Sequence, residues 1–508
     1  MTECTKRYHR TFRTLTRKKS SQPKQHLPLR RAKILCTIGP KSASRQILEE
    51  LSKNGMDMVR LNMSHGTQEW HLNTIKAIRS VEKLRQTPLP ILLDLQGPRI
   101  RIGSLPKEGI YLHTGESVKL ISANSEKSRL SKYSKNKGSV IPVVFPTLTK
   151  DVKKGHKILI NDGLIELLVN KATVTGLECS IVVGGKVTSR KGVNFPDTNL
   201  SGPTLTEKDL KDLLFGIENR VNYIALSFVR SAQDVRAVKT FLRKHKQDIP
   251  VIAKIERPEA IRRLSSIVDQ ADGVMLARGD LAIEMSLEEV PILQKHILAE
   301  ANRRHRLVIT ATQMLESMTQ HPRPTRAEAS DVANAVLDGS DILMLSAETS
   351  AGQYPVQTVQ IMARIIRSAE KGTVLRWEPS KTDQEIHGSI TASACIAADS
   401  AARLTQAKAI VVFTDSGATA LFMSKQRPAV PIIALTPSRE SLKRMTAYWG
   451  VHAYLMPQIS STDERIQQAE DIVKERGLIH SGDRIVILSG EHAQKPTGTN
   501  LMKIHLVK

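Results

Sequence analysis

Lys254, Glu256 and Asp280 stand where two short stretches turn from apolar to charged text: Val251-Ile-Ala-Lys254-Ile-Glu256, and Gly273-Val-Met-Leu-Ala-Arg278-Gly279-Asp280-Leu-Ala-Ile-Glu284. A lysine, two carboxylates and a Gly-Asp turn opening a helix suit a divalent metal, an anionic oxygen and a bound carboxylate or phosphate. Lys254 and Glu256 taken alone read more readily as an ion pair at a barrel rim. Context has to decide.

The two runs have strand length and the gap between them fits one helix, so they form strand–helix–strand in a parallel sheet, with the charges gathered at the C-terminal ends. Six more such runs follow the same rhythm, starting at Lys33, Asp57, Ile91, Tyr223, Leu307 and Asp341. Eight strands alternating with helices predict an α/β fold, a (β/α)8 TIM barrel whose C-terminal rim builds the active site. Barrel text occupies 31–101 and 203–371. Between them, 102–202 holds short strands parted by Gly, Asp, Asn and Lys, which predicts an inserted all-β lid domain leaving and rejoining the rim. From 372 to 508, strands alternate with helices again as a third, C-terminal α/β domain.

The chain of 508 residues is long enough for about three domains. At 40% hydrophobic and 25% charged residues it reads as globular. No run approaches the roughly 20 apolar residues of a membrane span, and the N-terminus lacks a secretory apolar segment. Cys4, Cys36, Cys179 and Cys395 are too scattered for a disulfide framework or a zinc site, so the expectation is a cytoplasmic enzyme with no membrane partner. The net charge is +25, and residues 1–33 hold eleven Lys or Arg against one acid. Residues 1–30 therefore read as a basic flexible N-terminal arm, loosely transit-peptide-like in composition. The remaining charge shows no basic repeat interleaved with aromatics. Substrates with several phosphates account for it as well as a nucleic acid does, and no nucleic-acid partner is expected.

With the motifs in order, the chain resembles the pyruvate kinase family from the first barrel strand to its C-terminus. The matching text is Met58-Val-Arg-Leu-Asn-Met-Ser-His-Gly66, Asp94-Leu-Gln-Gly-Pro-Arg-Ile-Arg101, Ala253-Lys-Ile-Glu256, Ala277-Arg-Gly-Asp-Leu281, Ala311-Thr-Gln-Met-Leu-Glu-Ser-Met318, Pro324-Thr-Arg-Ala-Glu328, Asp331-Val-Ala-Asn-Ala-Val-Leu-Asp-Gly339 and Met344-Leu-Ser-Ala-Glu-Thr349. The resemblance implies phosphoryl transfer from phosphoenolpyruvate to ADP, giving ATP and an enolate that is protonated to pyruvate, the last step of glycolysis. It implies Mg²⁺ or Mn²⁺ on Glu256 and Asp280, and Lys254 and Arg60 at the phosphoryl group. Thr312 and Ser346 fall beside the enolate, and the backbone of Ala277, Arg278, Gly279 and Asp280 beside the substrate carboxylate. Asn62, His65, Arg101 and the lid's Lys191 fall on the nucleotide side.

Two departures shape the expectation. Leu95-Gln96-Gly97-Pro98-Arg99 resembles the bacterial-type, potassium-independent branch, in which a fixed cation, commonly Lys, stands in for the ion beside Asn62, Ser64 and Asp94; here that cation is Arg99. K⁺ is then not required. In the C-terminal domain, Thr414, Ser416, Gly417 and Thr419 resemble an effector loop for a phosphorylated small molecule, with Ala418 where related loops often carry Arg. A homotetramer is implied by the resemblance alone. The runner-up from the residues is a metal-dependent enolate-forming barrel lyase or aldolase, which would share Lys254, Glu256 and Asp280 but would not need the lid or the nucleotide residues.

Overall fold

The computed structural model describes residues 30–123, 139–202, 204–371, 389–459, 461–490 and 498–508. The basic arm, apart from Arg30, and Cys4 lie outside the described residues, as does the start of the C-terminal domain at 372.

Eight parallel strands, Lys33–Thr37, Met58–Asn62, Ile91–Asp94, Tyr223–Leu226, Val251–Ile255, Gly273–Ala277, Leu307–Ala311 and Ile342–Leu345, close into a barrel. Each coincides with an apolar run of the sequence. Both faces of these strands are buried, which is why the runs are continuously apolar rather than alternating. In the first strand Leu35 points into the barrel, where Met58, Leu92, Tyr223, Ile252, Met275 and Ile309 fill the interior, while Ile34 and Cys36 pack outward against the helical shell. The helices start at real caps. Ser44 accepts from the N–H of Ile47, Thr67 from that of Trp70, and Thr325 forms a reciprocal box with Glu328. Among the described residues, no helix is long and apolar enough to cross a membrane.

The inserted segment builds a six-stranded and a two-stranded sheet around Ile141, Ile158, Leu167, Leu177 and Phe195. Its outgoing and returning chains pair with each other: Arg101 bridges Gly192, and the N–H of Ile102 donates to the Lys191 carbonyl at 2.8 Å. Three lid strands have no counterpart in the sequence pattern, Ser139–Val143, Gly185–Val187 and Val193–Asn194. The first contains Pro142, which argues against a strand, yet it lies at the sheet's edge, where a missing N–H can be tolerated. The other two are too short to carry a period.

The C-terminal sheet has the order Val451–Leu455, Ile432–Thr436, Ala409–Phe413, Arg484–Ser489, Leu501–Leu506, with only the last strand antiparallel. It seats on the N-terminal end of the barrel, opposite the rim. Tyr223, inside the barrel, donates its hydroxyl to the Arg444 carbonyl at 2.8 Å, and Lys33 Nζ donates to the Val451 carbonyl at 2.9 Å. Two histidines are trapped near this junction. Burial pushes His452 down to about 3 and His305, whose ring lies 4.6 Å from that of Phe422, down to about 4. The unfolded chain binds these protons at about 6.5, so the stability they lend is complete above that pH and is lost as pH falls towards 4 and then 3. Urea midpoints should fall through that window, and His452→Gln should flatten the fall. A parallel fall in both proteins would sink this assignment.

Candidate active site

Four of the chemically apt residues are carried to one place by strand ends. Lys254 projects from the fifth barrel strand with its ammonium 2.9 Å from Glu256 Oε1 and 3.3 Å from Asp94 Oδ1, and it donates to Ser227 Oγ at 2.7 Å. Asp94, ending the third strand, turns its other oxygen to Arg60 of the second, whose Nε and Nη2 lie at 2.7 and 2.6 Å. Arg60 also donates to Thr37 at 2.9 Å. Sequence distance hides this cluster, since Arg60 and Lys254 are joined only through Asp94.

All four groups are buried, so their charges matter more than at a surface. Burial alone would push the Lys254 ammonium down, but Asp94 and Glu256 outweigh it and hold the group above its ordinary value. Asp94 is likewise desolvated, yet Lys254 and Arg60 pull its carboxyl below the usual range. Glu256 goes the other way. Burial raises it, the like charge of Asp280 adds to this, and Lys254 only partly compensates. Its Oε2 accepts from the Phe228 N–H at 2.7 Å, whereas Oε1, although beside Lys254, has no hydrogen bond. A carboxylate raised first by burial and further by a second carboxylate is short of positive charge. That donor set fits a divalent cation.

Among the described residues no cluster of three or more His, Cys, Asp or Glu side chains could hold a metal. A pair of protein carboxylates, with substrate and water completing the sphere, is the arrangement expected for Mg²⁺ on a phosphate substrate.

Asp280 lies in the first turn of a seven-residue helix, Arg278–Glu284, which starts where the sixth strand ends. The N–H of Gly279 donates to Thr312 Oγ1 at 2.8 Å, and the Thr312 hydroxyl donates to the Ala311 carbonyl at 2.6 Å. Arg278 turns away from the rim centre to Asp331, at 2.7 Å, and the Thr312 carbonyl, at 2.8 Å. Thr312 has φ of 67°, Gln313 53° and Phe228 56°. For a β-branched residue that conformation is strained, and strain of this kind collects where geometry is fixed for function. Ser346, after the eighth strand, has a buried hydroxyl without a hydrogen-bond partner, and its N–H is held by Glu348 at 2.6 Å.

The remaining predicted residues separate into two groups. His65, Arg99, Arg101 and Arg60 are close enough that burial first, then the three guanidinium charges, lower the His65 imidazole. Asn62 accepts from the Ser64 N–H at 3.1 Å, and Arg101 donates to the Arg190 carbonyl at 3.2 Å next to Lys191. Of Asn62, Ser64, Asp94 and Arg99, Asp94 is engaged by Arg60 and Lys254, and Arg99 is exposed and makes no ion pair with it. On the C-terminal domain, Gly417 has φ of 89°, and its N–H donates to Thr414 Oγ1 at 3.0 Å. Thr419 meets Thr499 at 2.6 Å, joining the effector-type loop to the chain ahead of the last strand.

Sequence reasoning missed Ser227, Phe228 and Glu348. Ser227 and Phe228 follow the fourth strand, so the rule that rim residues sit at strand ends would have found them.

Comparison with known proteins agrees with this architecture. The family model described as pyruvate kinase, barrel domain, matches residues 29–359, and that described as pyruvate kinase, alpha/beta domain, matches residues 392–505. Pyruvate kinase 2 of Synechocystis sp. is 40% identical over 483 residues, covering 94% of this chain and 80% of that protein. The pyruvate kinase of Staphylococcus aureus is 41% identical over 481 residues, covering 94% and 81%. A crystal structure of a pyruvate kinase from Cryptosporidium parvum superposes with a TM-score of 0.87 at 33% identity, over 94% of this chain and 96% of that one. Both family models and relatives matched along nearly the whole chain thus agree with the barrel and the C-terminal α/β domain, and the protein belongs to the pyruvate kinase family of phosphotransferases.

Proposed function

We propose that the rim cluster transfers the phosphoryl group of phosphoenolpyruvate to ADP, with Lys254 facing the migrating phosphoryl group and the enolate oxygen. The carrying observation is the Lys254–Asp94–Arg60–Glu256 cluster, a buried set of fixed charges at the C-terminal ends of three barrel strands. Phosphoryl transfer asks a protein for such positioned charge rather than for a covalent partner. Glu256 and Asp280 would hold Mg²⁺ or Mn²⁺, which would supply charge neutralisation and Lewis-acid polarisation of the phosphate. Arg60 binds the phosphoryl oxygens. The first turn of the Arg278–Glu284 helix receives the substrate carboxylate, which requires Gly279 to exchange its bond with Thr312 for one to substrate. Thr312 and Ser346 border the enolate carbon, where they place the water or hydroxyl that protonates it.

ADP lies between the His65–Arg101 side of the rim and Lys191 at the lid root. Arg99 supplies the monovalent charge beside Asn62, Ser64 and Asp94, so K⁺ is dispensable. Gly417 and the hydroxyls of Thr414, Ser416 and Thr419 receive a phosphorylated effector at the start of the Ala418–Lys425 helix. The assembly is a homotetramer. It is supported by exposed large apolar side chains on two domains, Leu287 and Ile292 on the barrel and Met502, Ile504 and Leu506 on the last strand, since dihedral symmetry needs two kinds of contact.

One assay series tests this reading. Pyruvate should form from phosphoenolpyruvate and ADP with Mg²⁺ in potassium-free buffer, rise less than about twofold with KCl, and stop with a chelator. Absolute dependence on KCl would remove Arg99 from the cation role. AMP and sugar phosphates added to the same series test the effector loop, and light scattering of the same sample should give four chain masses.

A further inference from the structure

The geometry points to a coupling between the lid and the substrate end of the barrel through Asn194 and Glu284, with Asn194 acting as a positioning residue. Asn194 belongs to the lid: its strand pairs antiparallel with Lys157–Ile160, opposite Leu159. Its Nδ2 reaches across the lid root and donates to Glu284 Oε1 at 2.7 Å. Glu284 is the last residue of the helix whose first turn carries Gly279 and Asp280. A helix of seven residues is only about 10 Å long, so a pull on its last residue is felt at its first turn.

Three further contacts make this a joint. The Arg257 guanidinium, which directly follows Glu256 in the chain, lies 3.9 Å from Glu284 Oε2 and turns its Nη2 toward the Phe195 and Thr198 carbonyls at 3.5 and 3.4 Å. Ile283 lies near the turn at Gly163, where an added Cβ would sit 3.9 Å from its methyl. A narrow cavity at the lid root is lined by Asp162, Asn194, Phe228, Arg257, Asp280 and Glu284, so lid, metal-site helix and Glu256 neighbours share one space.

A contact kept for stability alone would be met more cheaply by apolar side chains, because Glu284 is buried and its Oε2 has no hydrogen bond. A buried amide–carboxylate bond suits a contact that transmits position. Lid closure over ADP and the setting of the substrate-carboxylate turn are then one movement. The inference rests on the reading that this helix's first turn binds substrate.

The test uses Asn194→Asp, which sets two carboxylates face to face, and Asn194→Asp combined with Glu284→Gln, which restores the hydrogen bond with donor and acceptor exchanged. Amide hydrogen exchange of the 278–284 segment in the full protein should speed up about tenfold in Asn194→Asp, and KM for phosphoenolpyruvate should rise about tenfold with kcat within about threefold. The double variant should bring both back to within about threefold of the parent. Unchanged exchange in 278–284, or no recovery in the double variant, overturns the coupling. If exchange responds and KM does not, the coupling stands and the substrate assignment of that turn falls.

Discussion

Lys254→Met is expected to lower kcat by about a thousandfold while leaving Mg²⁺ and phosphoenolpyruvate binding within about tenfold of the parent. The direction follows from where the ammonium sits. It is held protonated by Asp94 and Glu256, buried, and oriented by Ser227, so in the proposed role it would meet the transition state with no solvent reorganisation. Methionine keeps the length and packing of the stem and removes only the charge. Asp94 keeps Arg60 as partner and Glu256 keeps the Phe228 N–H, so the fold should survive. Single-turnover phosphoryl transfer with saturating substrates is the decisive measurement. A loss under tenfold would remove Lys254 from the phosphoryl group and leave it as a counter-ion. Lys254→Arg should not rescue, because a planar fork cannot occupy a point-charge position bounded at 2.9, 3.3 and 2.7 Å.

The members of that cluster differ in how plainly the amino-acid sequence marks them. Lys254, Glu256 and Asp280 are legible because strand periodicity ending in charge fixes both the element and the end on which a residue lies. All eight barrel strands are legible for the same reason: burial on both faces leaves an unbroken apolar mark. Asp94 reads by its motif as part of a monovalent-cation ring, whereas its oxygens face Arg60 and Lys254, and nothing in the local text singles out Ser227. Whether a strand-end side chain meets one neighbour or the next depends on barrel stagger, which sequence does not display. The short lid strands are invisible because two- and three-residue pairings carry no pattern. Asn194 and Glu284 are opaque too, being ninety residues apart and ordinary in type.

Phe228, Thr312 and Gln313 illustrate a different limit. Their positive φ values contradict local preference, so no propensity argument would place them there. The surroundings impose the conformation: Phe228 is held by its N–H on Glu256, and Thr312 by Gly279 and the Ala311 carbonyl. These are the rim positions where local consistency gives way to site geometry.

Asp341→Ala should destabilise the protein by about 3–5 kcal/mol, the largest stability effect expected of any single substitution here. Asp341 is about 1% exposed at the barrel's closed end, where it faces Lys425 and, at 2.8 Å, Arg427, both from the C-terminal domain. Its Oδ2 also accepts from the Val308 N–H at 2.8 Å, and Lys425 Nζ donates to Asn302 at 2.8 Å. Removing the carboxylate leaves two buried cations facing no anion. Burial already pushes Lys425 down to about 8, with Asp341 opposing, so in the variant the amine should lose its proton more easily still. The unfolded lysine titrates near 10.5, so the folded state binds fewer protons between the two values and stability attributable to Lys425 rises with pH there. Above about 8 the parent and Asp341→Ala gain in parallel, but the variant's lysine, neutral at lower pH, gains below that value as well, so the deficit of Asp341→Ala should shrink as pH rises towards about 8 and then stay constant, and Asp341→Asn with Lys425→Met should recover most of it. Urea denaturation across that range is the check, and a deficit under about 1 kcal/mol would mean the junction is not held by this pair. The substitution should also reach the rim, because Asp341 immediately precedes the eighth strand, Ile342–Leu345, and Ser346 immediately follows it. At about 3.3 Å per residue, the five steps from Asp341 to Ser346 set roughly 16 Å between the domain junction and the rim.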